Sequence, residues 1–230
     1  MTGLVFAVLS VVYATPAHGG GVPLDHVATI RTLAARLDRE LVLPHPIAIA
    51  VRDCPTANAY YQPRSRTLLV CHQLWNERRA LYLTSGTDHE ATERLLRDSM
   101  TYTVFHELGH ALHRELALPM LGRYEDVADD LAVLLMIRLG LAEIAGHAAG
   151  GHWLRSRQPG YAHDFRDEHG SGAQRAFSIG CLLYGSDPKA HASLLAAMHT
   201  PLDKLARCTR DYPDHLAAWR KLLHDHLRGS

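Results

Sequence analysis

A chain of 230 residues, 47% hydrophobic and 21% charged, carries enough apolar material for one sizeable core and is not a disordered segment. Its 24 Lys and Arg balance 24 Asp and Glu without a sustained basic run, which argues against nucleic acid or an anionic membrane as the main partner. The 17 histidines are the outlier, and they add positive charge below about pH 6.5.

Gly3 to Ala14 (GLVFAVLSVVYA) is an apolar stretch of secretory-leader length, too short for a transmembrane helix of about 20 residues. Small residues mark cleavage points after Ala14 and Ala17, so residues 1–17 read as a signal peptide and 22–230 as one exported domain, periplasmic or extracellular. The leader lacks a basic start, which leaves an uncleaved buried segment or short anchor as the alternative. Stable membrane insertion is not expected.

Gly19 to Gly21 form a joint. Leu24 to Leu41 then has helical spacing, with Val27, Ile30, Leu33, Leu37 and Leu41 on one stripe, ended by Pro44 and Pro46. Ile47–Val51 reads as a strand. Ala57–Tyr61 and Thr67–Val70 read as two more, joined by a turn at Gln62-Pro63-Arg64-Ser65. Thr87-Asp88-His89-Glu90 reads as the capping-box start of a helix running to about Leu118, where Pro119 stops it. Past the loop Pro119-Met120-Leu121-Gly122, a second helix runs from Tyr124 to Leu139 and Gly140 closes it. Gly146 to Gly172, rich in Gly and His, reads as a loop in which His147 and His152 flank two glycines. Helical pattern resumes over Ala173–Tyr184, after Asp187-Pro188, and over Pro213–Leu227.

The expected class is α+β: a small antiparallel-edged sheet carrying the long helix (22–118), then a mostly helical lobe (119–230). Cys54, Cys71, Cys181 and Cys208 allow three pairings, and none lies in a C-x-x-C. Cys54–Cys71 and Cys181–Cys208 are favoured because each pair brackets a local unit. Each would add about 3 kcal/mol on the chain-entropy account.

Residues 106–110 read His-Glu-Leu-Gly-His, an H-E-x-x-H pattern inside that long helix. Four residues apart, His106 and His110 point the same way and can share one Zn²⁺. Glu107 is rotated about 100° from His106, where a general base belongs. A third protein ligand is needed, and the following helix offers Glu125, with Asp129 one turn on to hold a ligand imidazole by its far nitrogen. For the group that stabilises the carbonyl oxygen, His169 is the first candidate, then Arg175 and Tyr161.

H-E-x-x-H followed by a helix bearing E-x-x-x-D resembles the gluzincin metallopeptidases, of which thermolysin is the familiar member. That resemblance implies Glu125 as third ligand and Asp129 as the group orienting a zinc histidine. Asn58-Ala59-Tyr60-Tyr61 resembles the edge strand that binds the substrate backbone in such enzymes, which implies that Asn58 and Ala59 bind substrate; Arg175 is read separately as a further substrate-binding residue. A wider resemblance is to exported bacterial proteins known only as "putative metallopeptidase", a domain of unknown function. It rests on NAYYQPRSRTLLVC, HELGHAL, LPMLGRYEDVADDLA, QRAFSIGCLLYGSDP and Cys208 before Tyr212 and Trp219. It implies a zincin-like fold and no particular substrate. The chain departs from these patterns in three places. Phe177 stands where that family carries Tyr, His110 to Glu125 is shorter than in thermolysin, and Leu116 occupies the metzincin third-His position.

The expectation is an exported, monomeric zinc metallopeptidase acting on peptides or proteins. The alternatives are a zinc-binding protein of this fold without turnover, or a cell-envelope interaction protein.

Overall fold

The computed structural model describes residues 9–119, 122–164 and 166–228. Period-2 burial builds the sheet. In β2 (Ile47–Arg52), Ile47, Ile49 and Val51 are buried and alternate with more exposed residues. β4 (Thr67–Cys71) is buried along nearly its whole length, as an inner strand must be. With β1 (Leu9–Tyr13) and β3 (Ala59–Gln62) they form a four-stranded sheet in the order β1-β2-β4-β3. β1 and β4 run parallel to β2, and β3 returns antiparallel to β4 along one edge. Helix α1 (Leu24–Glu40) is the crossover between β1 and β2, burying Val27, Ile30, Leu33 and Leu37.

Helix α2 (His72–Thr84) leads to α3 (His89–Glu115), which is buried without a break from Ser99 to Leu112. A helix enclosed on all sides marks the centre of the molecule. Around it stand α4 (Tyr124–Arg138) and α5 (Ala142–Ser156). α6 (Gly172–Ser186) lies against α4 and α5. α7 (Pro188–Ala197) and α8 (Leu202–Leu223) complete the helical part, followed by a short 3₁₀ turn (His224–His226). Both expected disulfides are present: Cys54–Cys71 ties the segment after β2 to the end of β4, and Cys181–Cys208 ties α6 to α8. Among the described residues no helix is long and apolar enough to cross a membrane.

The α+β class holds, and β3 gives the small sheet its expected antiparallel edge, the other strands being parallel; several boundaries differ. The stretch read as a leader contains β1: Leu9 N–H donates to Asp38 at 2.8 Å and Ala14 N–H to the Val51 carbonyl at 2.9 Å. Its residues 1–8, and Met120-Leu121 of the loop before α4, lie outside the described residues. Gly146 to Gly172 is not all loop, because α5 occupies it as far as Ser156. Its Ala-rich run favours helix, and Gly151 lets Tyr82 Oη approach where a Cβ would lie 2.6 Å away. Asp88 caps α3 by accepting the Ala91 N–H at 2.8 Å, so the cap is a simple one and not the reciprocal box. The box occurs instead at Ser171 and Gln174 of α6. α8 starts at Leu202 and contains Pro213 in its interior, where the sequence suggested a start.

Candidate metal centre

α3 brings His106, Glu107 and His110 to the floor of a cleft of about 890 Å³. α4 supplies the opposing side. Gly109 is what lets the two helices meet so closely: a Cβ there would lie 2.6 Å from the Ala128 carbonyl oxygen and 2.9 Å from Ala128 Cα. This approach carries Glu125 to the paired histidines. Its Oε2 is 3.0 Å from His106 Nε2 and its Oε1 is 3.4 Å from His110 Nε2. The ligand atoms of His106, His110 and Glu125 all lie within 4.8 Å of one another, and the three residues are buried.

Behind them is a network that fixes His106. Asp129 Oδ1 accepts from His106 Nδ1 at 2.7 Å, from Tyr102 Oη at 2.8 Å and from Arg175 Nη2 at 2.7 Å. Arg175 Nε reaches Asp129 Oδ2 at 2.8 Å, closing a two-point pair. With Nδ1 held as a donor, His106 directs Nε2 at Glu125 and the space beside it. Burial works against ionising Asp129, but Arg175 and His106 hold its carboxyl well below the usual range. Burial likewise pulls His106 down, yet Asp129 and Glu125 outweigh it and keep the ring at about 9. Burial also opposes the Glu125 charge, and His106, His110 and His169 overcome it, keeping the group ionised. A cation between Nε2 and Glu125 would take the place of the proton that the carboxylates now favour. Two imidazoles and a carboxylate converging on one point form the donor set of a catalytic zinc site, so the residues present fit the metal.

Glu107 lies beside this triad and not within it. Its Oε2 is buried with no hydrogen-bond partner among the described residues, and burial raises its pKa. His169, on the loop between α5 and α6, places Nε2 2.8 Å from Glu125 Oε2 and Nδ1 3.2 Å from Asp167. Ala59 and Tyr61 of β3, with Asn58 just before it, line the cleft from the sheet edge that faces α3.

Thus His106, Glu107, His110, Glu125, Asp129 and His169 come together. Arg175 also borders the cleft, and its Nε and Nη2 pair with Asp129, so it supports His106 through that carboxylate. Tyr161 borders the cleft too, with its Oη accepting the Gly172 N–H at 2.8 Å. His147 lies on α5 and pairs with Asp98 at 2.6 Å. Tyr102 escaped the sequence reading, although its place four residues before His106 puts it on the same helix face.

Residues 23–223 match the family described as "Putative metallopeptidase". The chain belongs to this family. The match takes in both α3 and α4, hence every member of the His106–His110–Glu125 group. No curated protein and no solved structure matches the chain.

Proposed function

We infer that this family member is an exported zinc-dependent peptidase whose general base is Glu107. The observation that carries this reading is the convergence of His106, His110 and Glu125 with an unpartnered, buried Glu107 carboxylate oxygen at their side. His106, His110 and Glu125 would hold the ion. Bound zinc would supply Lewis acidity, lowering the pKa of a water and polarising the scissile carbonyl.

The chain's own residues do the rest. The outer edge of β3 offers main-chain groups, beginning with the Ala59 carbonyl, along which a substrate lies as an added strand; the Asn58 carbonyl accepts the Cys71 N–H at 3.1 Å and Asn58 Oδ1 accepts the Ala59 N–H at 2.9 Å, which holds the start of that edge in place. Glu107, made a stronger proton acceptor by burial, takes a proton from the attacking water. It holds that proton on its carboxylate and passes it to the leaving amine nitrogen. His169 Nε2, within reach of the same point, donates to the carbonyl oxygen as negative charge builds there. Tyr102, Asp129 and Arg175 keep His106 in one tautomer throughout. Zinc as the ion rests on the donor set, and export on the two disulfides.

Glu107→Gln is expected to retain one zinc per chain and to lose peptide cleavage by about a hundredfold or more. Metal analysis and cleavage of a peptide library by the same preparation check both halves. A fully active Glu107→Gln protein would falsify the mechanism.

A further inference from the structure

Arg78, on α2, borders the same cleft as His106 and Glu107. Its Nη1 makes three hydrogen bonds to α3: to the Ser99 carbonyl at 2.8 Å, to Ser99 Oγ at 2.7 Å and to Thr103 Oγ1 at 2.6 Å. All three acceptors are neutral. Among the described residues no carboxylate pairs with Arg78, and its Nε and Nη2 donate to nothing.

The neighbouring arginines differ. Arg175 is matched by Asp129, and Arg155 by Glu77 at 3.2 Å. Arg114, which also borders the cleft, is exposed and can rely on water. Burial presses the Arg78 pKa down to about 10, so the group remains cationic at neutral pH, and the residue is half-buried in the cleft wall. A half-buried guanidinium without a counter-charge of its own gains from a carboxylate brought to it. Its two open nitrogens form the fork that a carboxylate fills in a two-point pair.

The position is also informative. Thr103, which anchors Arg78, precedes His106 by three residues and Glu107 by four on α3. That is about one helical turn, roughly 5 Å along the axis. An extended peptide advances about 3.3 Å per residue, so a residue flanking the scissile bond reaches this far with its side chain or its end group.

We propose that Arg78 forms a carboxylate-binding subsite one helical turn from the metal centre, selecting peptides with an acidic side chain or free C-terminus beside the scissile bond. The proposal rests on the peptidase reading above, and its test separates the two.

Zinc-loaded wild-type protein is given matched peptides with Glu or Gln at the positions flanking the cleaved bond, each as free acid and as C-terminal amide. The carboxylate-bearing peptides are expected to show roughly tenfold or greater advantage in kcat/KM. Loss of that advantage on amidation assigns the subsite to the chain end, and its survival assigns it to the side chain. Arg78→Gln is expected to shrink the advantage about tenfold, and Arg78→Lys to shrink it less. Equal cleavage of all four peptides by wild type overturns the subsite and leaves the peptidase reading standing; this arm needs no folded variant. If wild type at full zinc occupancy cleaves nothing, the peptidase reading fails. Calorimetric titration of the zinc-loaded protein with the Glu and Gln peptides then decides the subsite: tighter binding of the carboxylate supports it, equal binding overturns it.

Discussion

At the scale of single residues, Asp129 shows how much one buried carboxylate can organise. One of its oxygens accepts from Tyr102, His106 and Arg175, so a charge that burial would otherwise suppress is held in place and the imidazole is oriented. The spacing of Asp129 after Glu125 pointed to a carboxylate one turn along the same helix, and that carboxylate meets His106 Nδ1. The Arg175 fork was not readable, because it arrives from α6, 46 residues downstream, and nothing local announces the pairing. His26 is the contrasting case. It is buried against Trp75, its Nε2 has no partner among the described residues, and burial, helped by nearby Arg97, lowers its pKa to about 4. The unfolded chain, with a His pKa near 6.5, binds the proton first. The stability tied to the neutral ring is therefore complete above about pH 6.5 and is lost as pH falls toward about 4, by roughly 3 kcal/mol in all. His26→Phe is expected to remove most of this share, and denaturant midpoints of the two proteins at pH 7 and pH 4.5 check it. An identical acid loss in both would refute the assignment.

At the scale of elements, the α3–α4 contact determines whether the site exists. Gly109→Ala adds a methyl group aimed at Ala128 backbone atoms, which cannot rotate aside. The gain in helix propensity, about 1 kcal/mol, favours the variant; the clash costs about 1–3 kcal/mol and displaces α4, with Glu125 on it. The expected outcome is a lower Tm with roughly tenfold weaker zinc binding. A variant with unchanged metal affinity would show that the close approach is incidental. α3 was plain in the sequence because an Asp cap, a long apolar pattern and Pro119 delimit it. α5 was hidden because its glycines and histidines look like loop residues, yet Gly151 admits Tyr82 Oη, His147 pairs with Asp98 and His152 packs edge-on against Tyr102. Pro213 misled in the opposite sense, sitting inside α8 where it resembled a helix start.

At the scale of the whole molecule, the α+β class and both cysteine pairings were legible, since alternation, helical period and local bracketing are short-range signals. The strand order was not. Parallel pairing of β1, β2 and β4 joins segments whose adjacency depends on the crossover path, and no turn signal encodes it. The place of β1 has a consequence for the mature form of the protein. Processing at Ala14 or Ala17 would strip a strand that shields the rim of β2, leaving its amide and carbonyl groups open to adhesion by another chain. A version starting at His18 should therefore self-associate in size-exclusion chromatography and melt earlier than the 230-residue form. If both elute alike and melt together, that outer strand is dispensable, and a cut that discards it becomes harmless.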